Sequence, residues 1–269
     1  IDPGIEDMIR QKIEPLLGPE FKVEFGSFSG ESTEAEMQKG AQLVKEKNSS
    51  VVIGVGGGKA IDTAKGIIHF APGPKLVVIP TIVASDAPCS KNAVVYNPDH
   101  TVNRDIHGLF NPDIVLVDSE IIVQAPSRYL AAGIADALAT WFEAEAAYKG
   151  RRVALAGGVA TQAALTLARL CYDTLMDFGI DAVRDCAEHI VTPAVDRVIE
   201  ANTLLSGLGF ESAGVASAHA VGNGLTEFEE SKPYSHGEKV AFGVATQLCL
   251  DGDIDPFIEG VLLSKKGSS

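Results

Sequence analysis

Cysteine is scarce: Cys89, Cys171, Cys186 and Cys249 are scattered through 269 positions, with no CxxC pair. That excludes a disulfide framework and a Cys-type zinc module, and it fits a reducing compartment, so the protein is expected to be cytoplasmic. No run of about 18 apolar residues occurs, so no membrane-spanning helix and no membrane partner are expected. Basic residues are few. The 22 Lys+Arg face 36 Asp+Glu, a formal charge of −14 at pH 7. Nucleic acid and anionic lipid both need a dense Lys/Arg face, so neither is an expected partner. With only six His, any metal site must be drawn from a short set. The opening IDPGIEDMIRQKIE has no initiator Met and lacks the basic-then-apolar order of a signal peptide. It reads as the interior of a domain, and the chain is expected to be a fragment.

Hydrophobic residues make up 46% and charged residues 22%, enough to fill one large core or two ordinary ones. In the first part, Val51-Val52-Ile53-Gly54-Val55, Leu76-Val77-Val78-Ile79 and Ile114-Val115-Leu116-Val117 are continuous apolar runs, as in buried strands of a parallel sheet. Between the first two, Ala60, Ile61, Ala64, Ile67 and Ile68 recur at helical spacing. Strand, crossover helix and strand are the units of an open parallel α/β sheet. Residues 34–46 predict a preceding helix, and 93–96 an edge strand or hairpin arm. From about residue 127 the strand signals stop. Helices are expected over 128–149, 161–178, 181–190, 193–205, 213–223 and 237–250, with Gly179 and Thr192-Pro193 as breaks. The fold class is therefore α/β followed by an all-α domain. The domains are expected at 1–122 and 123–269, with the tail 263–269 a frayed end.

Four features can carry chemistry. Gly54-Val55-Gly56-Gly57-Gly58-Lys59 lies where a strand meets a helix, so glycine backbone and free N–H groups can approach a phosphate while Lys59 adds a mobile cation. The alternative is a tight turn with no ligand, and Asp62 reads as a dipole-stabilising residue of the first turn. The loop from Pro80 to Ser90, with Thr81, Ser85 and Asp86, follows a strand end, where ligands of open α/β sheets bind; the alternative is an ordinary Ser/Asp turn. Cys89 has no His near it along the chain and reads as a small core residue. Asp136 sits on an apolar helix face, where a carboxylate needs a cation, a hydrogen-bond network or a metal. His219 and His236 could each be a satisfied core or capping histidine. Taken with Asp136 they offer one hard oxygen and two imidazoles, a set suited to Zn²⁺ or Fe²⁺.

The segments GVGGGKAIDTAKG, PTIVASDAPCS, AAGIADALATWFEAEA, VIEANTLLSGLGFES and HGEKVAFG, in this order between about residues 51 and 250, closely resemble the glycerol dehydrogenase branch of the iron-containing (metal-dependent) alcohol dehydrogenase superfamily. The resemblance implies a Rossmann-like dinucleotide-binding domain followed by a helical metal-binding domain. It implies NAD-dependent oxidation of glycerol, or a related small polyol, to dihydroxyacetone in a homo-oligomer. It places Asp136, His219 and His236 on the metal ligands, with Zn²⁺ expected and Fe²⁺ the alternative, and Asp86 on the substrate-contacting aspartate. Gly57, Gly58, Lys59, Thr81, Ser90 and Tyr96 fall on cofactor contacts. Ala84-Ser85, Asn92, Ala135 and Gly222 depart from the family pattern. The family's first strand would precede residue 1 and its last helices would follow residue 269. The rival readings are a related diol or hydroxyketone dehydrogenase, and an inactive truncated paralogue that pairs with a full-length subunit.

Overall fold

In the computed structural model, residues 1–107 and 110–252 are described, and they fall into two compact units. The expected frayed tail at 263–269 lies outside the described residues.

The first unit comprises Ile1–Thr81 and Lys91–Val117. Helix α1 (Glu6–Ile13) leads into a single 3₁₀ turn, and α2 (Glu34–Lys47) starts at Thr33, whose hydroxyl accepts the Glu36 N–H. Asn48, at φ 51°, closes α2 in the left-handed region that Asn tolerates better than most residues. Strand β1 (Val51–Gly56), helix α3 (Gly58–Phe70) and strand β2 (Lys75–Pro80) form the expected crossover unit, with Val51 opposite Lys75 and Gly56 opposite Pro80. Strands β3 (Ala93–Tyr96) and β4 (Val102–Ile106) pair as an antiparallel hairpin, and β5 (Ile114–Val115) adds a parallel edge to β2. Gly54 allows α3 to lie close on the sheet, because a Cβ there would stand 2.6 Å from that of Ala64. Two expectations are corrected. Of the run at 114–117 only the first two residues are strand; the Leu116 N–H still donates to the Val78 carbonyl, but its side chain is 55% exposed. Strand β1 is not buried throughout: Val51 and Ile53 share one open face, and only its C-terminal half is covered.

The second unit comprises Ile82–Ser90 and the chain from Asp118 onward, and its described residues contain no strand longer than one bridge. Its helices are α4 (Ser119–Ile122), α5 (Ser127–Lys149), α6 (Gln162–Ala187), α7 (Pro193–Glu200), α8 (Ser206–Ala213), α9 (Ser217–Leu225) and α10 (His236–Asp251). Asp118, Thr161 and Thr192 each accept a backbone N–H at a helix start, which satisfies a donor that has no partner within the helix. A core of Val83, Leu130, Ala137, Cys171, Leu175, Val195, Val198 and Leu205 joins the 82–90 segment to α5, α6 and α7. Gly179 does not break the chain into two helices: α6 runs through it, with Ile134 of α5 packed against the bare backbone. A glycine costs about 1 kcal/mol relative to alanine inside a helix, and 26 residues of packed helix outweigh that. The helical stretch expected over 193–205 changes gauge after Glu200, where Ala201–Leu205 form a π-turn before α8. Gly214, at φ 104°, ends α8, so the next helix starts at Ser217 and not at 213. No helix among the described residues is long and apolar enough to cross a membrane.

Candidate metal centre

Three helices of the second unit converge on one buried oxygen. Asp136 lies in the middle of α5 with no solvent exposure, His219 is the third residue of α9 and His236 the first of α10. The Nε2 atoms of His219 and His236 lie 3.5 and 3.3 Å from Oδ1 of Asp136, and one ligand atom from each residue falls within 4.8 Å of the others. Glycines permit this approach. A Cβ on Gly237 would stand 2.0 Å from the Ala132 carbonyl oxygen of α5, and one on Gly243 would stand 2.1 Å from that of Ala218. Gln247 ties the three helices together, accepting the Ala218 N–H through Oε1 and donating from Nε2 to the Phe142 carbonyl. At the entry to α10, the Glu238 carboxylate accepts the N–H and hydroxyl of Ser235 and two bonds from Arg128; Arg128 leads in holding it down to about 2.

The charges are strongly coupled. Burial pushes the Asp136 carboxyl up, but the neighbouring His236 and His219 outweigh it and hold the group below the usual carboxylate range. Burial opposes a proton on His219, yet Glu143 and Asp136 prevail and raise its pKa well above 6.5. Despite this attraction, Oδ1 of Asp136 is buried without a hydrogen-bond partner among the described residues, with both imidazole nitrogens at distances long for an N–H···O bond. An orphaned carboxylate oxygen facing two imidazole nitrogens fits a divalent cation, and the N₂O donor set suits Zn²⁺ or Fe²⁺.

The 82–90 segment lies against this centre. The Asp86 N–H donates to Oδ2 of Asp136 at 3.2 Å, and Oδ2 of Asp86 accepts the Ser206 hydroxyl at 2.8 Å. Ser206 in turn lies 2.7 Å from the Thr140 hydroxyl, which makes a buried chain from α5 through α8 to the loop. Burial, followed by the nearby Asp136, pushes the Asp86 carboxyl up to about 7. Asn202, in the π-turn, donates to the Val83 carbonyl at 3.3 Å, and Gly133 faces the same carbonyl so closely that a Cβ would stand 1.9 Å from its oxygen. Ser90 is buried in this unit and donates weakly to Ala87.

The remaining expected cofactor residues belong to the first unit. Gly57 caps α3 and Gly58 begins it, without a side-chain cap on the helix N–H groups. The Thr81 N–H donates to the Gly56 carbonyl. Lys59 is restrained: its Nζ donates to Glu31 at 2.7 Å and lies 4.9 Å from the centre of the Tyr96 ring. Glu31, itself buried, also meets Nδ1 of His100 at 2.5 Å. Asp62 is not a first-turn residue as expected, because α3 begins at Gly58 and its first turn holds no acidic side chain. It is buried, pairs with the buried Lys65 at 3.2 Å and accepts the Val94 N–H, fastening α3 to β3. Sequence reading overlooked Glu31, Thr140, Asn202, Ser206 and, above all, Glu143. Thr140 and Glu143 carried a local signal, because they stand one and two helical turns after Asp136 on one face of α5.

A parallel α/β unit followed by a helical unit is the architecture of the metal-dependent alcohol dehydrogenases. This chain belongs to the iron-containing alcohol dehydrogenase family, whose family model matches residues 1–119. It is 48% identical to a glycerol dehydrogenase of Pseudomonas putida over 91% of its own length and 66% of that protein's. It is 49% identical to a glycerol dehydrogenase of Escherichia coli over 85% of its length and 62% of that protein's. The solved structure of a probable glycerol dehydrogenase from Sinorhizobium meliloti superposes with a TM-score of 0.91 at 39% identity, covering 99% of this chain and 73% of the other. The chain thus spans slightly less than two thirds of the length of these curated relatives.

Proposed function

We propose that the chain carries the dinucleotide-binding and metal-binding parts of an NAD-dependent glycerol dehydrogenase, which oxidises the secondary hydroxyl to give dihydroxyacetone. The observation that carries this reading is the orphaned Oδ1 of Asp136 between two imidazole nitrogens. Asp136, His219 and His236 would hold a divalent ion, and Zn²⁺ is favoured over Fe²⁺ by the general affinity order. Bound there, the ion would supply Lewis acidity to lower the pKa of a substrate hydroxyl, and a nicotinamide dinucleotide would supply the hydride acceptor.

The chain's own residues do the rest. Asp86, fixed by Ser206 and by its backbone bond to Asp136, orients a polyol beside the metal ligands. Without a bound ion, burial and the nearby Asp136 push the Asp86 carboxyl up to about 7. Gly57 and Gly58 leave helix N–H groups open for a pyrophosphate, with Lys59 and Tyr96 beside them and Thr81 and Ser90 as further cofactor contacts. Lys59 must exchange Glu31 for phosphate oxygen when the dinucleotide arrives.

A steady-state assay of the Zn²⁺-supplemented protein with NAD⁺ and NADP⁺, across glycerol, 1,2-propanediol and 2,3-butanediol, tests this. The expected result is turnover of glycerol with preference for NAD⁺. Turnover confined to another diol would reassign the substrate, and binding of neither metal nor NAD⁺ would withdraw the enzymatic reading.

A further inference from the structure

Glu143 is fully buried and engaged at both oxygens. Its Oε1 accepts the backbone N–H groups of Ala216 and His219 at 2.8 and 2.9 Å, and its Oε2 meets Nδ1 of His219 at 2.5 Å. An ionised carboxylate can only accept, so the ring nitrogen that faces it must carry hydrogen. The opposite nitrogen, Nε2, points to Oδ1 of Asp136. Of the two ring nitrogens, Nδ1 is the one within hydrogen-bond reach of a fixed carboxylate oxygen. We propose that Glu143 is a positioning residue: it keeps the His219 proton on Nδ1, so that Nε2 turns its lone pair to the divalent cation.

The inference rests on the metal site proposed above and adds a residue to it. Three features of the site support it. The two backbone bonds fix the carboxylate itself, so its orientation does not depend on the ring. They also take up N–H groups at the start of α9, where negative charge is favoured, so one group sets both the entry of the helix and the rotation of the imidazole it carries. Finally, Glu143 and Asp136 project from the same face of α5, so one helix supplies the ligand oxygen and the group that orients the neighbouring ligand.

Glu143→Gln separates these roles. The amide oxygen can still accept from Ala216 and His219, which preserves the helix start. The amide NH₂ then faces Nδ1 and requires an acceptor there, which drives the proton to Nε2 and blocks that lone pair. Zn²⁺ alone is titrated into chelator-stripped protein, with unfolding temperature as the check on folding. The expected result is Zn²⁺ affinity about 10- to 100-fold weaker in Glu143→Gln than in the parent. Nitrogen NMR of the Zn²⁺-loaded parent, with the His219 signal identified by its loss in His219→Asn, is expected to place the ring proton on Nδ1. Equal affinities, or a proton on Nε2 in the loaded parent, would overturn the inference, and the NMR result decides even if the variant fails to fold. A parent protein that binds no Zn²⁺ would instead bring down the metal site itself, and this inference with it.

Discussion

The backbone N–H of Asp86 donates to Oδ2 of Asp136, so the carboxylate that faces two histidines also anchors the loop proposed to hold the substrate. In Asp136→Asn the side-chain oxygen can keep that backbone bond, but the charge is gone. Zn²⁺ affinity is expected to fall by more than the roughly 10- to 100-fold typical of losing an outer-shell partner, and glycerol turnover to fall with it. Titration with Zn²⁺ and a steady-state assay check this. A variant that binds Zn²⁺ as tightly as the parent would remove Asp136 from the ligand set.

Proton and metal compete for Nε2 of His219. The pKa of this residue in the metal-free protein is raised well above the imidazole reference, with Glu143 and Asp136 overcoming the effect of burial. Below that raised value, each unit of pH costs about tenfold in apparent affinity for the one proton displaced. Zn²⁺ affinity should therefore still be climbing above pH ~7, where an ordinary imidazole of pKa ~6.5 would already be neutral. Glycerol oxidation should run faster above pH ~8 than at pH ~6. Chelator competition between pH ~6 and ~9 decides the point, and an affinity that levels off by pH ~7 would contradict it.

The raised pKa of Asp86 has the opposite sign from that of an ordinary ion-paired carboxylate. The folded, metal-free protein favours the protonated acid, so the associated stability is complete below the unfolded value near ~3.9 and is lost as pH rises through about 7. Asp86→Asn is neutral at every pH and keeps an acceptor for Ser206. Its metal-free form should melt above the parent's at pH ~8 by on the order of 1 kcal/mol, or roughly 2–4 °C, with the gap closing near pH ~4. Saturation by glycerol should meanwhile be lost. Identical melting curves for the two proteins at pH ~8 would show that Asp86 is not under this strain.

Gly243 brings α10 against the Ala218 carbonyl, one residue from His219. Gly243→Ala must push the helices apart, and overpacking of this kind costs about 1–3 kcal/mol. Zn²⁺ affinity should drop in the same variant, because His219 and His236 sit on the two helices that separate. Thermal unfolding and metal titration, measured together, check both effects. A loss of stability with unchanged Zn²⁺ affinity would mean that the histidines do not depend on this contact.

Much of the architecture was legible from periodicity. Val51–Gly56, Gly58–Phe70 and Lys75–Pro80 form the strand, helix and strand that their apolar spacing predicts. Asp136 was conspicuous because a carboxylate on an apolar face demands a partner, and His219 because it interrupts a run of small residues. Reading failed where tertiary contacts overrule local signals. Gly179 looks like a helix break until Ile134 is seen packed on it. Lys59 looks like a mobile cation because its restraint, Glu31, is 28 residues away, and Ser206 reveals nothing until the fold brings it to Asp86, 120 residues distant. Glu143 lies in the segment AAGIADALATWFEAEA, yet its partner is 76 positions further on.

The π-turn at Ala201–Leu205 makes chain length in that segment as consequential as residue identity. Such a turn carries one residue more than an α-helix would use to cover the same distance. Deleting a single residue there would let α7 and α8 merge into one uninterrupted α-helix, with the helix beyond the bulge still in its original phase. Ser206 would keep its place beside Asp86, but the widened turn that carries Asn202 to the Val83 carbonyl would be gone. A one-residue deletion at this bulge should therefore loosen the 82–90 loop while leaving the metal-binding side chains in place, an effect that no substitution of those side chains would imitate.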